Sequence, residues 1–239
     1  SNKDILIKVD FRPLNLKIEN NSNYNDDKIN GQLSFDLISK DKLVNYTLNN
    51  NILSFNTKNQ KLNGEINIKP FFLSSNLNLN EIGISKFFKN NSILVNLLKS
   101  EILNNKNLNG KISISTKNLK DLKHINKIKF DIKFEEGIVL ITNLEFIFKN
   151  SVIFNINDVN LIVDNNKLKF IGDFNMKFID INNFYSHFQI KRNYRKNIKR
   201  ISSNFIFNLD DGFIEFTELK INNNNNQASR QYLRKFNSE

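Results

Sequence analysis

With 239 residues, 39% of them hydrophobic, and a mean hydropathy of −0.44, the chain has enough apolar material for a folded β domain, and no run approaches the ~20 apolar residues of a membrane-spanning helix. Zero cysteines exclude disulfides, thiolate metal sites and cysteine nucleophiles, and two histidines, His124 and His187, all but exclude a multi-histidine metal site. The net charge of +11 points to anionic partners, but Asn, Lys and Ile saturate the chain as an AT-rich coding sequence makes them, which halves the weight of that signal.

The chain opens Ser-Asn-Lys directly before a strand-like run, without initiator Met or signal peptide, and so reads as a piece of a longer protein. Ile5 to Phe11 and Leu14 to Ile18 read as strands broken at Pro13, and the polar stretch Glu19 to Lys28 as a loop. Ile29 to Ile38, Leu43 to Leu48 and Ile52 to Thr57 follow as strands, with connections too short for a crossover helix. A local pattern recurs: apolar residue, Asn, Gly, polar residue, apolar residue. It stands at Ile29 to Leu33, Leu62 to Ile66 and Leu108 to Ile112, with a variant at Phe170 to Phe174. It reads as a repeated strand-pair unit with variable loops, although a glycine easing a twist or a bulge explains each copy alone.

Between Ile84 and Leu103, Ile84, Phe87, Phe88, Val95, Leu98 and Ile102 recur at three- and four-residue steps, which predicts an amphipathic helix. Lys127 to Phe148 predicts a β-hairpin. Ile128, Phe130, Ile132 and Phe134 alternate with polar residues, Glu135-Glu136-Gly137 turns the chain, and Ile138, Leu140, Leu144, Phe146 and Phe148 continue the even-numbered phase. The same phase runs on through Val152, Phe154 and Ile156 and through Leu168, Phe170, Phe174, Met176 and Phe178, so these strands add to one sheet. A second helix, over 181–190, starts after Asp180 as N-cap. After the basic run Lys191 to Arg200, strands Ile201 to Leu209 and Phe213 to Ile221 meet at Asp210-Asp211-Gly212. The Asn-rich tail 222–239 becomes helical from Ala228.

The expected fold is mainly β: an elongated, twisted antiparallel sheet of roughly fourteen strands curled into a groove, with two short helices and one extended domain over 1–221. At ~4.8 Å per strand such a sheet is about 65 Å long, more than two helices can cover. Its apolar side therefore either folds back as a closed sandwich or lines a groove suited to acyl chains, where each methylene removed from water is worth ~0.8 kcal/mol. Periodicity alone leaves the two even.

No residue set supports catalysis. Glu135-Glu136 and Asp210-Asp211 adjoin turn glycines, so turn chemistry outweighs an acid/base pair or a calcium site. His187 lies among aromatics without a nearby acid in sequence, and His124 reads as a loop residue. Lys191 to Arg200 can touch anionic headgroups or nucleic acid, but a solvated connector is the plainer reading. Aromatics that share a face with Ile, Leu and Val argue against a nucleic-acid platform.

Three segments have a familiar pattern and order: Gly64-Glu-Ile-Asn-Ile-Lys-Pro-Phe71; the helix Phe87 to Leu103 leading into Leu108-Asn-Gly-Lys-Ile-Ser-Ile114; and Phe184-Tyr-Ser-His-Phe-Gln-Ile190 followed by Tyr194-Arg-Lys196. Over nearly its whole length the chain resembles the carboxy-terminal part of bacterial AsmA-family proteins. The resemblance implies a periplasmic location with an inner-membrane anchor in the full-length protein, no catalytic residue, no cofactor and no metal. It also implies non-enzymatic phospholipid transport between inner and outer membranes in support of outer-membrane biogenesis. The expected partners are phospholipid acyl chains, the two membranes and envelope proteins, with no nucleic acid. On that reading the lining comprises Ile128, Phe130, Ile132, Phe134, Ile138, Leu140, Leu144, Phe146, Phe148, Phe154, Ile156, Leu168, Phe170, Phe174 and Phe178. The alternative is a structural scaffold of the cell envelope, with these residues in a closed sandwich core.

Overall fold

A computed structural model describes residues 3–11, 16–25, 28–35, 43–83, 92–225 and 227–238. The fold is mainly β: one open, fourteen-stranded antiparallel sheet in which every strand pairs with its sequence neighbours, in the order β1 to β14. The short connections noted in the sequence produce this order, because an antiparallel neighbour needs only a tight turn. Asn50, Lys149, Asn150, Asn165 and Asn166 all take positive φ at hairpin turns, as do Glu136 and Gly137, so the abundance of Asn serves backbone geometry that most residues resist. Contacts divide the chain into two compact units, one of residues 1–78 and 107–113 and the other of residues 79–106 and 114–239.

The first unit holds β1 (Lys3–Phe11), β2 (Leu16–Asn25), β3 (Lys28–Phe35), β4 (Leu43–Asn49), β5 (Ile52–Thr57), β6 (Leu62–Ile68) and most of β7 (Phe71–Ile82). The stretch read as a loop, Glu19 to Lys28, is mostly strand. β2 bonds β1 on one side and β3 on the other, and ladder bonds belong to the backbone whatever the side chains. Its polar side chains find partners in the sheet: Tyr46 donates to Asn20 Oδ1 at 2.7 Å, and Asn23 donates to Asp4 at 2.8 Å. Pro13 and the segment 36–42 lie outside the described residues.

The recurring glycine has a physical cause. Gly31 and Gly64 sit in strand interiors without positive φ, directly across from Tyr46 and Phe55. A Cβ at Gly31 would come within 2.4 Å of the Tyr46 ring, and one at Gly64 within 2.7 Å of Phe55 and 2.3 Å of the Ser74 carbonyl oxygen. Each glycine lets an aromatic ring lie down across the ladder, closing a gap that a strand glycine otherwise leaves unpacked. At Gly172 in the second unit the close neighbour is Val159 instead: a Cβ there would come within 3.0 Å of its side chain.

The second unit contains α1 (Ile93–Lys99), a 3-10 turn (Ile102–Asn104), most of β8 (Asn109–Leu119), β9 (Ile125–Glu135), β10 (Ile138–Phe148), β11 (Val152–Asp164), β12 (Lys167–Phe178), α2 (Ile181–His187), β13 (Arg200–Asn208), β14 (Phe213–Ile221) and α3 (Gln227–Ser238). The helix expected over 84–103 is shorter in its described part. Ser92 caps α1 by accepting from Val95 N at 3.2 Å, and Glu101, at φ 55°, ends the run, leaving Ile102 exposed. Residues 84–91 lie outside the described residues. Asp180 caps α2 through Asn183 N at 3.0 Å, as its position in the sequence suggests. α3 starts at the expected place in the tail and packs on β14, where the Asn237 amide accepts from Phe216 N and donates to Phe216 O. That pair of bonds occupies part of an edge otherwise open to another strand.

Candidate functional site

Residues directly opposite in an antiparallel ladder share a face, so the registers of β9 to β14 define one apolar side of the second unit. It carries Phe130 and Ile132 from β9, Leu144 and Phe146 from β10, Phe154 and Ile156 from β11, and Phe174 and Met176 from β12. Phe205 and Phe207 from β13 and Phe216 and Leu219 from β14 continue it. The opposite side holds Lys129, Asp131, Glu145, Asn155, Lys177, Arg200 and Lys220.

Ile138 and Leu140 do not belong to the apolar side. They stand across from Glu135 and Lys133 on the polar one, and Ile138 is 53% exposed, while Val139 and Ile141 take the inward positions. The cause is a bulge at Asn143, whose φ of 55° inserts an extra residue and reverses the phase before Leu144. Asp158 does the same in β11, so Phe154 and Ile156 are followed inward by Val159 and Leu161, and Lys127 compensates in β9. The other thirteen residues read as lining share the apolar face, in three environments.

At one end of the strands α1 covers the face. Val95 and Leu98 are buried there, as are Phe134, Val139, Leu168 and Phe170. Asp210, at the β13–β14 turn, clamps this end: it pairs with Lys99 and accepts from Leu168 N at 2.9 Å. The hydrogen bond from Lys99 holds the Asp210 carboxyl below the usual carboxylate range, aided by the Leu168 bond and against partial burial. Leu168, Phe170 and Phe134, assigned to an open lining by the sequence, are therefore packed core at this end, and Ile128, toward the other end of β9, is also buried, at 6% exposure.

At the other end α2 covers Phe148 and Phe178. Phe184 lies edge-on to both, at 6.1 and 5.2 Å between centroids, and Phe188 stacks on Phe148 at 5.8 Å. His124 and His187, 63 positions apart, meet here with ring centroids 5.1 Å apart, and Lys149 Nζ lies 2.8 Å from His187 Nδ1. Burial, then the Lys149 ammonium and His124, push the His187 imidazole below its ordinary value. A neutral ring accepting from a lysine, among phenylalanines and with no carboxylate in contact, is built for packing rather than for proton transfer.

Between the two covers, no helix or strand among the described residues lies across the middle of the face. Phe130, Leu144, Phe146, Phe154, Ile156 and Phe174 are half-buried; Phe146 and Phe154 stack at 4.5 Å and 11°, and Phe174 meets Phe216 at 5.3 Å. The floor of this trough spans about 24 Å across six strands and about 17 Å along them. Ser203, on the same face, turns its hydroxyl back to the Glu218 and Asn204 carbonyl oxygens. At the β14 side α3 adds a wall, leaving a cleft of about 370 Å³ lined by Phe174, Phe216, Leu219, Tyr232, Leu233 and Phe236, with Lys235; that is within the ~300–1,000 Å³ range of small-molecule sites. The β13, β14 and α3 residues escaped the sequence reading, although the alternation of Phe205 and Phe207 was there to find them.

Among the described residues no group of three or more His, Asp or Glu side chains could hold a metal ion, and no helix is long and apolar enough to cross a membrane. Glu135 flanks and Glu136 begins a two-residue turn, and Asp211 takes Lys167 at 2.9 Å and Asn208, so the paired carboxylates serve turns and ion pairs. No family model, no curated protein and no solved structure matches this chain.

Proposed function

We propose that the protein is a non-enzymatic carrier of phospholipid, holding acyl chains against the apolar side of its sheet. The observation that carries this reading is the floor between α1 and α2, where six large apolar side chains stay partly exposed and, among the described residues, no helix or strand of the second unit lies across the middle of the face. Leaving such a patch in water is unfavourable unless something apolar visits it, and an acyl chain gains ~0.8 kcal/mol per methylene there without needing any particular side-chain geometry. The resemblance to AsmA-family proteins supports the same function and adds its setting: the periplasm, an anchor in the inner membrane, and traffic between inner and outer membranes.

The test is lipid extraction and mass spectrometry of the protein purified without detergent, followed by transfer of a fluorescent phospholipid between donor and acceptor vesicles. Co-purifying phospholipid and protein-dependent transfer are expected. Absence of both favours the scaffold reading, in which the apolar face is closed off as a core and another surface binds an envelope protein.

A further inference from the structure

The strands of the second unit end in two chemically different rims. At the α1 end, the segments Glu101 to Lys106, Glu135 to Gly137, Asp164 to Lys167 and Leu209 to Gly212 carry six carboxylates and two lysines. At the α2 end, Lys120 to His124, Lys149 to Ser151 and Ile179 to Arg200 carry nine lysines and arginines against Asp121 and Asp180. Asp180 is engaged in capping α2, and Lys120 lies 3.7 Å from Glu81. The same rim leaves four large apolar side chains in water: Leu122 at 48%, Ile179 at 59%, Phe188 at 50% and Tyr194 at 68% exposure.

The basic connector is a fixed platform. Tyr185 donates to Lys196 O at 2.7 Å and accepts from Lys196 N, Arg195 Nε donates to Ile190 O, and the Asn222 side chain holds Asn197, Lys199 and Arg200 through their backbones. Its charges are thus presented in place rather than gathered on binding.

We propose that this rim docks onto an anionic phospholipid surface, setting the strands of the second unit end-on to the bilayer. Positive charge with exposed aliphatic and aromatic side chains matches a headgroup layer over acyl chains. A nucleic acid would use the charge but leave Leu122 and Ile179 unpaired, and the Phe188 ring is already stacked on Phe148. The inference rests on the carrier reading for its purpose, since the docked bilayer supplies or receives the lipid. The docking itself is measured independently of the trough.

The experiment is co-sedimentation of the protein with large vesicles of phosphatidylcholine, alone or with one-third phosphatidylglycerol, at low and high salt. Binding to the anionic vesicles, weakened by salt, is expected. Reversing Lys191, Arg192 and Lys196 together to Glu should weaken it about a hundredfold, at roughly fivefold or more per charge. Ile179→Ser with Tyr194→Ser should weaken it about tenfold, and Lys106→Glu, at the other rim, should leave it unchanged. Each variant is also scored for co-purified lipid. Rim variants that lose vesicles but keep lipid support the docking. Phe146→Asp losing lipid while binding vesicles like the parent shows the two sites to be separate. Lipid absent from every variant while vesicle binding still follows the rim overturns the carrier reading and leaves the docking standing. Equal binding to neutral vesicles, indifference to the rim substitutions, or binding to a labelled RNA oligonucleotide but not to vesicles overturns the docking.

Discussion

Phe146 and Phe170 lie on the same side of the same sheet, and replacing each with aspartate should have opposite outcomes. Phe170 is 7% exposed and its register neighbour Leu161 is 9% exposed, so a carboxylate there is enclosed without a partner. Removing the ring alone costs about 3–5 kcal/mol, and enclosing the charge adds several more. The sum matches a typical total stability of ~5–15 kcal/mol, and the domain should unfold or release α1. Phe146 is half-buried at the floor of the trough, where a carboxylate stays hydrated. The losses are the stacking on Phe154, about 1 kcal/mol, and partial apolar burial of about 100 Å² at ~25 cal/mol/Å², another ~2.5 kcal/mol. A melting temperature lower by about 7–14 °C with an unchanged β-sheet circular dichroism spectrum is expected, together with a large fall in bound phospholipid. Lys177→Asp, on the polar side beside Arg200, is the control, within about 0.5 kcal/mol. If Phe146→Asp unfolds the protein as Phe170→Asp does, or binds as much lipid as the parent, the floor is not an open apolar surface.

Gly64→Ala should destabilise by about 1–3 kcal/mol in urea titration, since its Cβ meets a backbone oxygen at 2.3 Å, whereas Gly31→Ala meets only the movable Tyr46 ring and should cost less. Asp210→Asn should cost about 1–3 kcal/mol and speed hydrogen exchange in α1, because Lys99 loses its ion pair. With its folded value depressed, Asp210 contributes stability that is present above the unfolded value of ~3.9 and lost as the pH falls through the lower folded one. His187 is also depressed, so the unfolded chain takes up its proton first. Stability should fall as the pH drops from ~6.5 toward the folded value, and His187→Gln should flatten that part of the thermal-stability profile.

Strand count and sequential pairing were legible because alternation and short connections are local properties. What escaped was every place where one residue in an unusual conformation changes the phase. Ile138-Val139-Leu140-Ile141 is apolar at four successive positions, so period two cannot say which pair points inward, and the deciding residue, Asn143, lies beyond the run. Glu101 ends α1 in a left-handed conformation that nothing about a glutamate announces. The covers were equally invisible. That Phe170 is enclosed while Phe146 is open depends on where α1 comes to rest, a long-range contact fixed by Lys99 and Asp210, 111 positions apart. Asp210 was legible as a turn residue, and its second task was not.

The first unit presents a differently composed face, and the difference bears on what a bound lipid would feel. Along one row, Ser22, Gly31, Tyr46, Phe55, Gly64 and Ser75 lie side by side across six strands. Its polar atoms are already engaged: the Tyr46 hydroxyl donates to Asn20 Oδ1, Ser22 donates to Ile5 O at 3.4 Å and Ser75 to Asn63 O at 3.2 Å. With their hydrogens directed into the sheet, these residues present ring faces and carbon atoms rather than free donors. Such a surface attracts acyl chains in proportion to the area covered and discriminates poorly between headgroups, because discrimination requires polar groups left unpaired by the wrong ligand. Any headgroup preference must then come from charged residues away from the apolar face. On the docking proposed above, the rim bearing Lys191, Arg192 and Lys196 would supply them, so exchanging phosphatidylglycerol for phosphatidylcholine should change how fast lipid is delivered to the protein more than how tightly its chains are held.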